Sequence, residues 1–331
     1  QWGWKRSGGI KDWSKLVIKQ SNNKEIFCGQ LSGNNLWKNS TAGNNIKHLS
    51  DKDYEKKKSS FHISVFGNHK NTWHPPTLWI GLGCERNTSK ELIEDSLQNF
   101  LTTNNLSPLS IAGFATVDLK KDEKAILEIS KEKNLPIKFF TSEELSSINT
   151  PNPSNVVLNE IGTPSVAEAA CMIAAGQGSK LLKEKKIFKS IDSSKSTFGA
   201  VTIAVSESKN QYSPLTGEIH VVGSGPGDIS YLTNDARKAL SKCSIWIGYK
   251  MYLDLIKPLK RKDQVMIESN LTEEKERCEK AIKLAEEGIK VALISSGDAG
   301  FYGMAGLLLE LIQKVHKDIR PSFEVHPGIS S

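Results

Sequence analysis

The chain has 331 residues, 38% of them hydrophobic and 24% charged, which suits roughly two or three folded domains and excludes disorder throughout. Its formal charge of +7, from 44 basic and 37 acidic residues, is spread over Lys- and Asn-rich stretches such as 51–58. No basic stripe interleaves with aromatics, which argues against nucleic acid, and no run of 18 apolar residues offers a membrane span.

The five cysteines (Cys28, Cys84, Cys171, Cys243, Cys278) are odd in number, far apart and form no CxxC, so neither a disulfide framework nor a zinc motif is indicated and a reduced cytoplasm is expected. His62, His69 and His74 match no standard ligand spacing, so no metal site is expected. Gln1 stands where a Met would, and the chain ends abruptly at Ser331. The expectation is therefore an internal piece of a longer product.

Residues 1–60 scatter Trp2, Trp4, Trp13 and Trp37 among polar residues, and β-like runs at 15–18, 25–28 and 61–66 predict a small β-rich unit packed by these rings. Two prolines make 71–76 read as a linker. Strands and helices then alternate: strand 78–82, helix 89–101, strand 111–117, helix 122–133, strand 137–140, Ala-rich helix 166–175 closed by Gly176, and strand 197–206. That order predicts an α/β domain with a mostly parallel sheet. A polar stretch, 206–214, reads as a second linker. Beyond it come strand 218–222, helix 231–242, strand 244–247, a helix capped by Thr272 and ended by Gly288, strand 291–294 and helix 304–315.

The strand at 218–222 runs into GSGPGD at 223–228. A dinucleotide fingerprint needs glycine where Asp228 stands, a P-loop needs a lysine that is absent, and the Asp228 carboxylate would repel a phosphate. What remains is a rigid turn, Pro226 between two permissive glycines, which alone is as compatible with a structural bend as with a ligand loop. Two further motifs follow strands, SSGDAGFYG at 295–303 and HPGISS at 326–331. Ligands in open α/β sheets bind outside the carboxyl ends of strands, so the three loops can converge on one molecule.

GSGPGD, LTNDARKAL, IGYKMYLDLI, SSGDAGFYGMAGLLLEL and HPGISS together resemble the tetrapyrrole methylase family over 217–331. The run IGY…SSGDAGFYGMAG makes the precorrin-3B C(17)-methyltransferases of cobalamin synthesis the most similar branch. The resemblance implies an incomplete methylase domain whose S-adenosylmethionine lies in a cleft between two α/β halves. It implies donor contacts at Gly223, Gly225, Pro226, Ser296, Gly297, Asp298, Phe301, Ser330 and Ser331, methylation at ring carbon 17 with ring contraction, and a homodimer for the complete methyltransferase. Some relatives carry an acidic proton acceptor where this chain has Tyr249, so Tyr249 stands as a catalytic, hydroxyl-binding or packing residue. With only half the cleft, weak donor binding and no methylation are expected of 1–331 alone.

LWIGLGCERNTS, ATVDLKKDE, FFTSEEL, PNPS and GTPSVAEAACMIAAG resemble the C-terminal domain of cobalt-precorrin-5A hydrolase (cobalamin biosynthesis protein G) over 77–208, with 1–75 compatible with the preceding part of such a protein. That family opens a lactone and releases a two-carbon fragment. The chemistry needs a carboxylate base and an oxyanion stabiliser. Glu168, Asp118 and Lys120 are the candidates, with Gly81, Gly83 and Cys84 as a loop of free backbone donors. The resemblances together imply an α/β bifunctional enzyme acting on a corrinoid, with or without cobalt in the ring. The alternatives are a hydrolase-like region that only holds substrate, and a tetrapyrrole carrier without catalysis.

Overall fold

The computed structural model of the chain describes residues 2–41, 43–49, 59–190, 197–212, 217–300, 303–315 and 320–330. Three five-stranded sheets follow one another along it.

The first sheet has the order β1-β5-β4-β2-β3, from β1 (Lys5–Ser7), β2 (Ile26–Gln30), β3 (Ile46–His48), β4 (Phe61–Ile63) and β5 (Thr72–His74). Two expectations change here. The β-branched run at 15–18 lies inside a helix, α1 (Ile10–Ser21), because Trp13 and Leu16 fall on one stripe that packs on the sheet. The expected linker at 71–76 begins with strand β5, which pairs antiparallel with β1 before Pro75 and Pro76 end it.

The second sheet has the order β8-β7-β6-β10-β9. Its strands are β6 (Leu78–Cys84), β7 (Ile111–Val117), β8 (Ile137–Phe140), β9 (Lys180–Lys189) and β10 (Ala200–Glu207). β6, β7 and β8 are parallel, whereas β10 runs antiparallel to both β6 and β9, so the sheet is mixed. Helices α2 (Lys90–Thr103) and α3 (Lys124–Glu132) cover one face through Ile93, Leu97, Phe100, Ile126 and Ile129. After α4 (Ser142–Ser146) and α5 (Asn155–Ile161), the Ala-rich α6 (Ala167–Ala175) covers the other.

The third sheet is wholly parallel, in the order β13-β12-β14-β11-β15. Its strands are β11 (Glu218–Gly223), β12 (Ile245–Tyr249), β13 (Val265–Ser269), β14 (Val291–Ser295) and β15 (Ser322–His326). Helices α7 (Asn234–Lys242) and α8 (Lys250–Ile256) cover one face around Trp246. Helices α9 (Glu274–Glu286) and α10 (Met304–Gln313) cover the other around Ile247 and Leu293. Both faces of the central strands are therefore apolar, as a parallel sheet requires. Glu273, not Thr272, stands at the N-cap of α9, its carboxylate accepting from the Asn270 backbone N–H at 3.0 Å.

Candidate functional sites

β14, β11 and β15 are neighbours, so their carboxyl ends (Ser295, Gly223 and His326) open on one edge of the sheet. The first two loops are laced by backbone. Gly225 and Gly297 exchange N–H···O bonds of 3.1 Å each, and the Ser224 N–H donates to Ser295 O at 2.8 Å. Gly225 and Gly297 sit at φ +69° and +56°, the left-handed region that glycine occupies without a Cβ penalty. The third loop packs closer still. A Cβ on Gly328 would lie 2.1 Å from Gly297 O, and one on Gly223 would lie 2.6 Å from that oxygen and from Gly328 N. Only glycine lets the three loops meet.

Gly223, Gly225, Pro226, Ser296, Gly297, Asp298 and Ser330 all belong to these loops, with Pro226, Ser296 and Ser330 exposed on them. Phe301 and Ser331 lie outside the described residues. Asp298 has a definite task within the protein: its carboxylate accepts from Gly300 N–H at 2.8 Å and from Gly328 N–H at 3.1 Å, tying the second loop to the third. Tyr249 ends β12 beside β14, half-buried, its ring edge-on to Tyr252 at 5.3 Å.

The second site is a cavity of about 730 Å³ at the carboxyl ends of β6 and β7. Lys120 lines it from the turn after β7 and is buried, its Nζ 3.6 Å from the equally buried Glu123 carboxylate. Arg86, Lys185 and Lys189 add three more cations and Glu85 one carboxylate, over apolar walls that include Val117, Val157 and Ile187. Sequence reasoning missed Lys185 and Lys189 because β9 reads as a solvated Lys-rich stretch. The signal was the period of two, Lys185, Ile187 and Lys189 alternating onto one face of the strand.

Other expectations at this site are corrected. Gly81, Gly83 and Cys84 form no free loop, because β10 pairs with β6 as far as Cys84. Burial pushes the Cys84 thiol up to about 11, so it is neutral at pH 7 and a poor nucleophile. Glu168 is fully buried in the first turn of α6. It accepts from Asn152 Nδ2 at 2.9 Å, the Lys185 backbone N–H at 3.0 Å, Ser165 Oγ at 3.3 Å and the Asn152 backbone N–H at 3.4 Å. It anchors the wall instead of lining the cavity. Asp118 opens the turn that carries Lys120 and is half-buried; it does not line the cavity itself, although Val117 and Leu119 on either side of it do.

Residues 218–331 match the family of Tetrapyrrole (Corrin/Porphyrin) Methylases, and residues 78–206 match the family Cobalamin synthesis G C-terminus. Each family model matches its own segment of the chain, and neither extends over half of it. A probable cobalt-factor III C(17)-methyltransferase of Salmonella typhimurium is 48% identical over 113 residues, 34% of this chain and 46% of that protein. A cobalt-factor III methyltransferase of Priestia megaterium is 46% identical over 119 residues, 35% of this chain and 22% of that protein. A cobalt-precorrin-5A hydrolase of the same organism is 28% identical over 200 residues, 56% of this chain and 52% of that protein. The chain thus spans about half or less of the length of these relatives.

The methylase domain carries the three-loop platform and the G-type domain carries the cationic cavity. No described helix is long and apolar enough to cross a membrane. The histidines weighed as metal ligands lie in and beside the first sheet and split into two arrangements. His62 and His69 stack at 3.9 Å, with burial lowering His62 to about 4, whereas His74 bonds to Ser7 Oγ at 2.8 Å and to Ser64 O at 2.9 Å.

Proposed function

We propose that the complete protein acts twice on a corrinoid ring: its methylase domain transfers a methyl group to ring carbon 17 with ring contraction, and its G-type domain opens the resulting lactone. The observation that carries this reading is the convergence of three glycine-dependent loops at the carboxyl edge of one parallel sheet. A side chain at Gly223 or Gly328 would fill the space through which the loops close, so the platform presents backbone groups and small residues to a ligand. That surface fits S-adenosylmethionine, which supplies an electrophilic sulfonium methyl when bound.

On this reading Gly225, Pro226, Ser296, Gly297 and Ser330 hold the methyl donor. Asp298 acts by keeping the second and third loops in register, and Tyr249 borders the substrate side. Alignment is the main task, because a sulfonium needs little acid–base help.

In the G-type domain Lys185 and Lys189, together with Lys120 and Arg86, which Glu123 and Asp122 offset in part, attract the acidic side chains of a corrinoid. Lys120 stabilises the developing oxyanion of lactone opening. Glu85, which lines the cavity, takes the base role, while Glu168 keeps the wall in place and Asp118 sets the turn that aims Lys120.

The test incubates the complete protein with methyl-labelled S-adenosylmethionine and cobalt-factor III, then with the methylated product. Label in the ring and release of acetaldehyde are the expected results. Tight pigment binding with neither label nor acetaldehyde would leave a carrier and sink the enzymatic reading.

A further inference from the structure

The parallel register of β11 and β15 sets His220 opposite Glu324 and Val222 opposite His326. Side chains two residues apart share a face, so Glu218, His220, Glu324 and His326 all project from the same side of the sheet. This cluster adjoins the loop platform through His326 but takes in none of the residues proposed to hold the methyl donor, and the single chain positions of its members gave no ligand motif.

His220 and His326 are 2% and 6% exposed, and their rings meet with His220 Nδ1 2.8 Å from His326 Nε2. The Glu324 carboxylate lies 3.7 Å from the first nitrogen and 3.6 Å from the second. Its side chain is 64% exposed, so the cluster opens to solvent on that side. One imidazole is already oriented. His220 Nε2 lies 3.2 Å from Glu218 Oε2, and Lys290 Nζ lies 2.7 Å from the other oxygen of that carboxylate. The Lys290 ammonium therefore pairs with Glu218 on the side away from His220. An ionised carboxylate only accepts, so His220 carries its proton on Nε2 and turns the Nδ1 lone pair toward His326. A carboxylate behind a histidine is the usual support of a metal-ligating imidazole.

We propose that His220 Nδ1, His326 Nε2 and Glu324 form a three-ligand site for a divalent first-row transition ion of the Zn²⁺ type, leaving one position for water or a further ligand. Three nitrogen and oxygen ligands with an open position suit zinc, at bond lengths of about 2.0–2.2 Å. Ligands at that distance stand about 3.4 Å apart in a tetrahedron. The two carboxylate–imidazole separations are near this already, and the two rings need to part by about half an ångström as the ion replaces the proton between them. A neutral imidazole has a single N–H, so the His326 proton moves through solvent from Nε2 to Nδ1 as Nε2 takes the ion, and none is lost overall. Asp235 and Lys242 of α7 lie within electrostatic reach of His326 with opposite signs, so their influences on a cation oppose one another. The consequence for the methylase domain is local. His326 directly precedes Pro327 and Gly328, so the ion would tether the third loop of the platform to β11.

The probe is Zn²⁺ alone, titrated into the 331-residue chain in competition with a chromophoric chelator. Co²⁺ provides a second reading through visible bands of a low-coordinate site. The expected result is about one equivalent taken from the chelator and a melting temperature raised by the ion. Glu324→Gln, at an exposed position that spares the fold, should weaken binding at least ~10-fold, and His326→Asn about 100-fold. Zinc left on the chelator by the parent chain, or an affinity unchanged in either variant, overturns the proposal. Binding is read without methyl donor or corrinoid, so its failure leaves the proposed reaction untouched.

Discussion

Glu168 has no exposed surface, yet its two oxygens receive three N–H donors and one hydroxyl. Its partners come from the turn before α5 (Asn152), the start of α6 (Ser165) and strand β9 (Lys185), three pieces of chain that together frame the cationic cavity. Removing the carboxylate leaves buried donors unsatisfied, at about 1–3 kcal/mol each and not additively. Glu168→Ala is therefore expected to lower the stability of the G-type domain by roughly 2–4 kcal/mol, and Glu168→Gln by less, since one amide oxygen still accepts. Urea unfolding of the three proteins checks this; an alanine variant as stable as the parent would show that Glu168 is no anchor. Neighbouring Lys120 differs in kind. It is buried beside Glu123 at the cavity wall, so its charge is available to a ligand without being exposed to bulk water.

At the scale of elements, α6 lies against β6 closely enough that a Cβ on Gly81 would sit 1.8 Å from Ala167 O. The helix can approach because its sheet-facing side is alanine and cysteine: Ala167, Ala170, Cys171 and Ala174 are all buried. Gly81→Ala should prise the start of α6 from the sheet, costing on the order of 1–3 kcal/mol or more, and should open the cavity wall that Ala167 provides. A melting curve indistinguishable from that of the parent would refute that packing argument. Elements of this kind were legible in the sequence where the period was clear. The Ala-rich helix, the strands at 111–117 and 291–294 and the three glycine loops stand close to where the residues put them. Legibility failed where charge or β-branching masked the pattern. The lysines of β9 protect an edge strand, the run at 15–18 is a helix because Trp13 needs a partner, and β13 carries too short an apolar pattern to stand out. The histidine cluster was invisible for a different reason. His220 and His326 are 106 residues apart, and only the β11–β15 register brings them together.

At the scale of the whole molecule, one side chain joins the first sheet unit to the third. Gln211, between the second and third sheets, accepts from Trp4 Nε1 at 2.6 Å and from Asn34 Nδ2 at 3.2 Å. It donates to Trp2 O at 2.7 Å and to Glu287 O at 3.1 Å. Glu287 follows α9 at this junction, and its carboxyl is pushed up to about 7, chiefly by burial, against the opposing pull of Lys283 and Lys280. A raised acid pKa means that the folded chain holds a proton which the unfolded chain releases near 4.5. The contribution of Glu287 is thus fully present below about pH 4.5 and is lost as pH rises through about 7. The full difference corresponds to about 3 kcal/mol as an upper figure. Glu287→Gln keeps the shape and removes the titration. Unfolding midpoints of parent and variant, measured from pH 5 to pH 8, should therefore diverge, with the variant gaining on the parent as pH rises. Parallel curves would mean that Glu287 ionises without strain and that the junction is wetter than its burial implies. Divergence that levels off just above pH 7 would make this contact the place where a rise toward neutral pH weakens the packing of the third sheet unit on the first.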